Sequence, residues 1–158
     1  KVKQAYSDNE SKWLLIDLGD VVCHVFFDGE RQLYNLEGLW KDLKTITLSE
    51  NLTQICEYAF NSAGLTSVAI PSSTQYIDQH AFDWNQSLTE IDMSKWDNIP
   101  TSWYDGQIFT VCPKNGTIYI AEKFRNNPEM QAAFKNFFIS RGIPPDDEEG
   151  NGWTIDFK

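Results

Sequence analysis

The chain has 158 residues, with 13 Lys and Arg against 23 Asp and Glu, for a formal charge of −10. Hydrophobic residues make up 41% and aromatic residues 14%, enough to pack a core, which excludes a chain disordered throughout. The acidic balance argues against direct contact with nucleic acid, whose affinity rests on clustered Lys and Arg, and suits either a basic protein partner or simply good solubility.

No apolar run approaches the roughly 18–20 residues that cross a bilayer. No charged start followed by an apolar core marks a signal peptide. Cys23, Cys56 and Cys112 are odd in number and widely spaced, unlike a disulfide framework or a metal motif. Each is expected to be a small buried apolar side chain. Asn51, Asn85 and Asn115 each open a glycosylation acceptor pattern that is common by chance.

In chain order, Trp13 to Leu18 and Val21 to Phe27 are expected as two strands around the turn signal Gly19-Asp20. Both parities of each strand are largely apolar, so the strands want cover on both sides, as in the middle of an α/β sheet. A helix is expected next, with Asp28 as N-cap and Leu33, Leu36, Leu39 and Trp40 as its apolar stripe. Asp17, Asp20 and His24 invite a metal-site reading. Strand rise puts His24 about 13 Å from Asp20, too far for one ion, so structural roles are expected for all three.

The run Trp13-Leu14-Leu15-Ile16-Asp17-Leu18-Gly19-Asp20-Val21-Val22-Cys23-His24-Val25-Phe26, continued by Arg31-Gln32-Leu33-Tyr34-Asn35-Leu36-Glu37-Gly38-Leu39-Trp40, resembles the ribosomal silencing factor family (RsfS, or Iojap). It carries nearly whole the signature W-x-x-x-D-x-G-D-x-x-x-H-x-F, then R-x-x-Y-x-L-E-x-L-W. The match covers the C-terminal third of that family. The resemblance implies binding to a basic protein of the large ribosomal subunit at its joining face, which blocks subunit association. It also implies Trp13, Asp17, Asp20, His24, Arg31 and Tyr34 as candidate ribosome-facing positions, because they match the family's motif.

From Leu43 onward the chain repeats. Leu43-Lys44-Thr45-Ile46-Thr47-Leu48 recurs 22 residues later as Leu65-Thr66-Ser67-Val68-Ala69-Ile70, and 23 residues after that as Leu88-Thr89-Glu90-Ile91-Asp92-Met93. Ile55-Cys56-Glu57-Tyr58-Ala59-Phe60 likewise recurs 22 residues on as Ile77-Asp78-Gln79-His80-Ala81-Phe82. Each unit predicts a strand (Thr45–Leu48, Ser67–Ile70, Glu90–Met93) with Ile46/Leu48, Val68/Ile70 and Ile91/Met93 pointing inward. A turn follows, at Ser49-Glu50-Asn51 or Pro71-Ser72-Ser73, and the Ala-Phe pair then closes the coil. One unit cannot bury its apolar face alone, whereas stacked units can, as a solenoid with parallel strands along one face. The third unit lacks the Ala-Phe pair and is stretched, with Phe109 as the nearest counterpart. These residues resemble the BspA-like leucine-rich repeat family, in which L-x-x-I-x-I-P and then I-x-x-x-A-F recur at this period.

Thr117 to Ile120 reads as a further strand. Asn127 as N-cap and Pro128 at the first position open a helix whose stripe is Met130, Ala133, Phe134, Phe137 and Phe138. That stripe is expected to dock on the last repeat, and Gly142 with Pro144-Pro145 to end the helix. Asp146 to Gly152 is expected as an acidic solvated loop, and Trp153 to Phe157 as a short closing strand.

The expected fold is therefore α/β of the repeat kind: a short leucine-rich-repeat solenoid with parallel strands, preceded by a β-hairpin plus helix and closed by a capping helix. The expected divisions are 1–42, 43–121 and 122–158. No Ser/His/Asp set, Gly-rich phosphate loop or paired-Cys motif is present, so no catalytic, cofactor or metal residue is assigned and no enzyme activity is expected. His80 occupies the repeat slot that Tyr58 holds one unit earlier.

Two functions stay open, with a third reading that is structural only. The first is a non-enzymatic protein-interaction module, with Thr45, Thr47, Ser67, Ala69, Glu90 and Asp92 as candidate binding residues on the exposed strand face by parity alone; the alternative is that these side chains are merely solvated. Its partner is an unidentified protein, such as a host or cell-surface protein, and its place would be the cell surface or outside. The second is a cytoplasmic ribosome-associated factor with a repeat extension. In the third, residues 1–42 merely cover the open end of the repeats. No direct nucleic-acid contact and no membrane span are expected in any of them.

Overall fold

The computed structural model describes the strands β1 (Gln4–Tyr6), β2 (Trp13–Asp17) and β3 (Val22–Phe26), and residues 44–158 throughout. The chain divides into two compact units, Lys1–Leu39 and Trp40–Lys158. In the first, β2 and β3 pair antiparallel from Trp13↔Phe26 to Asp17↔Val22, as the turn signal between them predicts. The strand β1 is an addition. Its three residues carry no alternating pattern of their own, and they become a strand by pairing with β2 from Gln4↔Asp17 to Tyr6↔Leu15. Among the described residues the order β1-β2-β3 makes β2 the central strand of an antiparallel sheet. The Gly19-Asp20 turn and the helix expected from Asp28 lie outside the described residues.

The second unit is α/β, with a parallel five-stranded sheet in the order β10-β9-β8-β6-β4. Its strands are β4 (Thr45–Ile46), β6 (Ser67–Ala69), β8 (Glu90–Met93), β9 (Gly116–Ile120) and β10 (Trp153–Phe157). β4 and β6 stop earlier than expected because the chain bends into its turn: Leu52 N–H bonds to Ser49 O at 2.9 Å and Thr74 N–H to Pro71 O at 3.0 Å. Between the turns and the Ala-Phe segments runs a second parallel ladder, β5 (Gln54–Ile55) with β7 (Tyr76–Ile77). At two residues per strand it is too short to leave a periodic signal in the sequence.

The 22–23-residue step becomes a register. Ile46, Val68, Ile91, Ile118 and Ile155 stand opposite one another across the five strands. Val68, Ile70, Ile91, Met93, Ile118 and Ile120 are buried, while Ile46 and Leu48 in the first unit are half-buried. On the opposite side of the core Phe60 stacks on Phe82 and Phe82 on Phe109, each pair with centroids 5.2 Å apart. Phe109 thus fills the slot of the missing Ala-Phe pair. The backbone follows, with Phe60 N–H bonding to Ala81 O at 2.8 Å and Phe82 N–H to Ile108 O at 2.9 Å. Ala81 and Phe82 are fully buried, but Ala59 is exposed and Phe60 only half-buried, since no described residue covers the outer side of their unit.

Equivalent backbone bonds measure the stretch of the third unit. Asp78 N–H bonds to Ile55 O, and Tyr104 N–H bonds to Ile77 O. Asp78 lies 8 residues beyond Ile70, whereas Tyr104 lies 11 beyond Met93, so the third turn is three residues longer.

The helix α1 (Pro128–Ile139) begins where expected, with Asn127 Oδ1 accepting from Met130 N–H at 3.0 Å. Phe134, Phe137 and Phe138 are buried, Phe138 against Phe109 at 5.5 Å and Phe137 against Trp103 at 5.4 Å. Gly142 follows at φ +102°, a left-handed conformation that glycine adopts without cost. The chain then returns as β10 beside β9. Trp153 is buried over Gly116, where a Cβ would meet the indole at 2.7 Å. The loop before β10 is acidic and mostly exposed, yet it is built: Asp147 accepts from Asn151 N–H at 2.9 Å and Glu149 N–H at 3.0 Å. Those bonds, from Asn151 above all, hold its carboxyl below the usual carboxylate range.

The cysteines depart from expectation. Cys56 is exposed, because the residue after β5 turns away from the core. Cys112 is partly covered; burial first, and the nearby Asp83 carboxylate second, push its thiol up to about 12. The side chain of Cys23 lies outside the described residues.

Candidate binding groove on the parallel sheet

Side chains alternate across a strand, so the residues between the inward columns form the outer face of the sheet. The register sets Thr45, Ser67, Glu90, Thr117 and Thr154 in one row, and Ala69, Asp92, Tyr119 and Asp156 in the next. At ordinary strand spacing this face is about 19 Å wide. Thr45, Thr47, Ser67, Ala69, Glu90 and Asp92 all line one groove of about 260 Å³ on it.

The floor of the groove is small and neutral. Thr45 Oγ1 and Ser67 Oγ lie 3.1 Å apart, and the exposed Ala69 leaves room for a partner's side chain to reach the sheet. The rim is charged. Lys95 Nζ lies 2.5 Å from Glu50 Oε1 on one side, both well exposed. Lys158 Nζ lies 3.1 Å from Asp92 Oδ2 and 3.6 Å from the centre of the Tyr119 ring. Partial burial acts to raise the Asp92 carboxyl, but hydrogen bonds from the Ser94 side chain and N–H and from Lys158 outweigh it and hold it below its ordinary value. Glu90 is exposed and makes no ion pair with another described residue.

Sequence reasoning missed Glu50, Lys95, Tyr119 and Lys158. Tyr119 could have been found by carrying the strand alignment one unit further. The other three arrive from turns and from the residue after β10, which no repeat pattern aligns with the face.

The ribosome-facing candidates are placed less fully. Trp13 opens β2 opposite Phe26, Asp17 ends it opposite Val22, and His24 stands opposite Leu15. Asp20, Arg31 and Tyr34 lie outside the described residues. His80 stacks on Tyr58 at 5.0 Å, and its Nδ1 lies 2.5 Å from the buried Asp83. Among the described residues no group of three His, Cys, Asp or Glu could hold a metal ion, and no helix is long and apolar enough to cross a membrane.

Comparison with known proteins gives two overlapping matches. The family model described as "BspA type Leucine rich repeat region (6 copies)" matches residues 39–137. The family model described as "Ribosomal silencing factor during starvation" matches residues 2–66. Two curated proteins named ribosomal silencing factor RsfS are similar to part of the chain. The one from Halalkalibacterium halodurans is 50% identical over 48 residues, 30% of this chain and 41% of that protein. The one from Bacillus subtilis is 46% identical over 54 residues, 34% of this chain and 46% of that protein. The chain thus spans less than half the length of either relative. No solved structure matches it.

Proposed function

Because the chain belongs to the BspA-type leucine-rich repeat family, we propose that it is a non-enzymatic protein-interaction module that binds its partner in the groove on the outer face of the parallel sheet. The observation that carries this reading is the convergence of Thr45, Thr47, Ser67, Ala69, Glu90 and Asp92, from three repeats, on one concavity. Parallel stacking of equivalent units supports a short solenoid over residues 43–121, with residues 122–158 as its closing cap and 1–42 as a separate segment. A small neutral floor with acid–base pairs at the rim suits a polypeptide: packing over Ala69 supplies contact, and Glu90 offers a charge to a basic side chain. The partner is an unidentified protein, such as a host or cell-surface protein.

The test is a photo-crosslinking amino acid placed at Ala69, with a second at Glu129 on the exposed side of α1. The groove reading predicts a discrete crosslinked polypeptide from position 69 alone, lost when Glu90→Lys is added. Equal crosslinking from both positions, or none from 69, contradicts it.

The second reading has its own observation, the match of residues 2–66 to the silencing-factor family. In it, Trp13, Asp17, Asp20, His24, Arg31 and Tyr34 meet a basic protein of the large ribosomal subunit, and the repeats are an extension. It predicts salt-sensitive binding to isolated large subunits.

A further inference from the structure

We propose that the three extra residues of the third turn build a second site, a pocket for a neutral saccharide, separate from the groove. The pocket lies between the turn that precedes β7 and the segment Trp96 to Ser102, and it measures about 450 Å³. That is within the size range of small-ligand sites, with room for a mono- or disaccharide.

The walls are fixed from behind. The Trp96 indole N–H donates to Ile70 O at 2.7 Å and the Trp103 indole N–H to Thr74 O at 3.2 Å. The two indoles meet edge to face at 5.5 Å, and Pro100 is buried. Thr74 itself is buried and donates to Leu52 O at 3.3 Å. With the backbone of both turns pinned, a ligand meets a surface that is already shaped.

What the pocket offers is polar and unspent. Ser72, Gln75, Tyr76, Asn98, Thr101 and Ser102 line it, and their side chains make no hydrogen bond to another described residue. Hydroxyls and amides both donate and accept, which matches the paired donor and acceptor character of sugar hydroxyls. No Lys or Arg lines the pocket, and the Asp97 carboxylate is already paired with Lys123. Anionic ligands therefore have no counter-charge there. Tyr76, 48% exposed, presents an aromatic face on which the apolar C–H side of a pyranose can lie. An extended peptide is a poorer occupant, because β7 contributes only Tyr76 to the lining and the rest of the walls are turns, too short a strand edge to pair with a peptide.

The experiment is saturation-transfer NMR on the intact chain with lactose, cellobiose, chitobiose and maltotriose as probes at millimolar concentration, and sialyllactose as the acidic comparator. At least one neutral probe should receive saturation. Its affinity should fall by about tenfold or more in Tyr76→Ala and in Asn98→Ala, each checked for an unchanged circular dichroism spectrum. Binding should be unaffected by Ala69→Arg, which fills the groove on the sheet. Saturation of none of the neutral probes, preference for the acidic one, or wild-type binding in both folded pocket variants overturns the proposal. Because Ala69→Arg reads the groove alone, loss of saccharide binding and loss of groove binding are separately visible.

Discussion

Asn85 is a polar residue in the core, fully buried, and its side chain joins three backbone segments. Its amide donates to Phe60 O at 2.8 Å and Phe82 O at 2.7 Å, and its carbonyl accepts from Leu65 N–H at 3.1 Å. Asn85→Ala leaves buried groups without partners, and urea denaturation should register a loss of about 2 kcal/mol. A loss within about 0.5 kcal/mol, the range of an ordinary surface change, would contradict that role. Asp92 ties stability to pH. Its folded carboxyl titrates below the ordinary value of 3.8, so the stabilisation is complete above that value and is lost as pH falls through the folded one. Asp92→Asn should therefore show a smaller loss of stability between neutral pH and about pH 3 than the parent chain. An identical acid profile in both would sink the assignment. Neither role was legible in the sequence. Asn85 reads there as part of a glycosylation pattern, and the bond from Lys158 to Asp92 joins residues 66 apart.

At the scale of elements, periodicity decides what sequence can show. The inward columns and the α1 stripe were legible because each repeats at a strand or helix period over several turns. The strands β1, β5 and β7 are two or three residues long and depend on pairing with a distant neighbour, so no local signal announces them. The exposure of Cys56 was misread for the same reason, since residue type outweighed a position that only the β5 ladder fixes. The two ends of α1 make a graded prediction. Phe138→Ala removes a fully buried ring from contact with Phe109 and Trp103 and should cost about 3–5 kcal/mol in thermal or urea unfolding. Asn127→Ala removes only the cap to Met130 N–H and should cost about 1 kcal/mol. If the cap variant proved the more damaging, α1 would be held by its own ends and not by packing on the last unit.

At the scale of the molecule, the face of the sheet was legible as a list of residues but not as a concavity. Parity alone named Thr45, Thr47, Ser67, Ala69, Glu90 and Asp92, and register across parallel strands brought them together. The rim could not be foreseen, because Lys95 sits in the stretched turn of the third unit and Lys158 follows β10, positions that no repeat alignment matches to the face. The central claim is that this face, and not the silencing-factor-like segment, carries the binding function. Its most direct test is co-sedimentation of the whole chain with purified large ribosomal subunits at low and moderate salt, beside the variants Ala69→Arg and Tyr34→Ala. The groove account predicts no pelleting above background at moderate salt for any of the three. Pelleting of the parent chain that survives Ala69→Arg and is lost in Tyr34→Ala would contradict it and assign the function to the first segment.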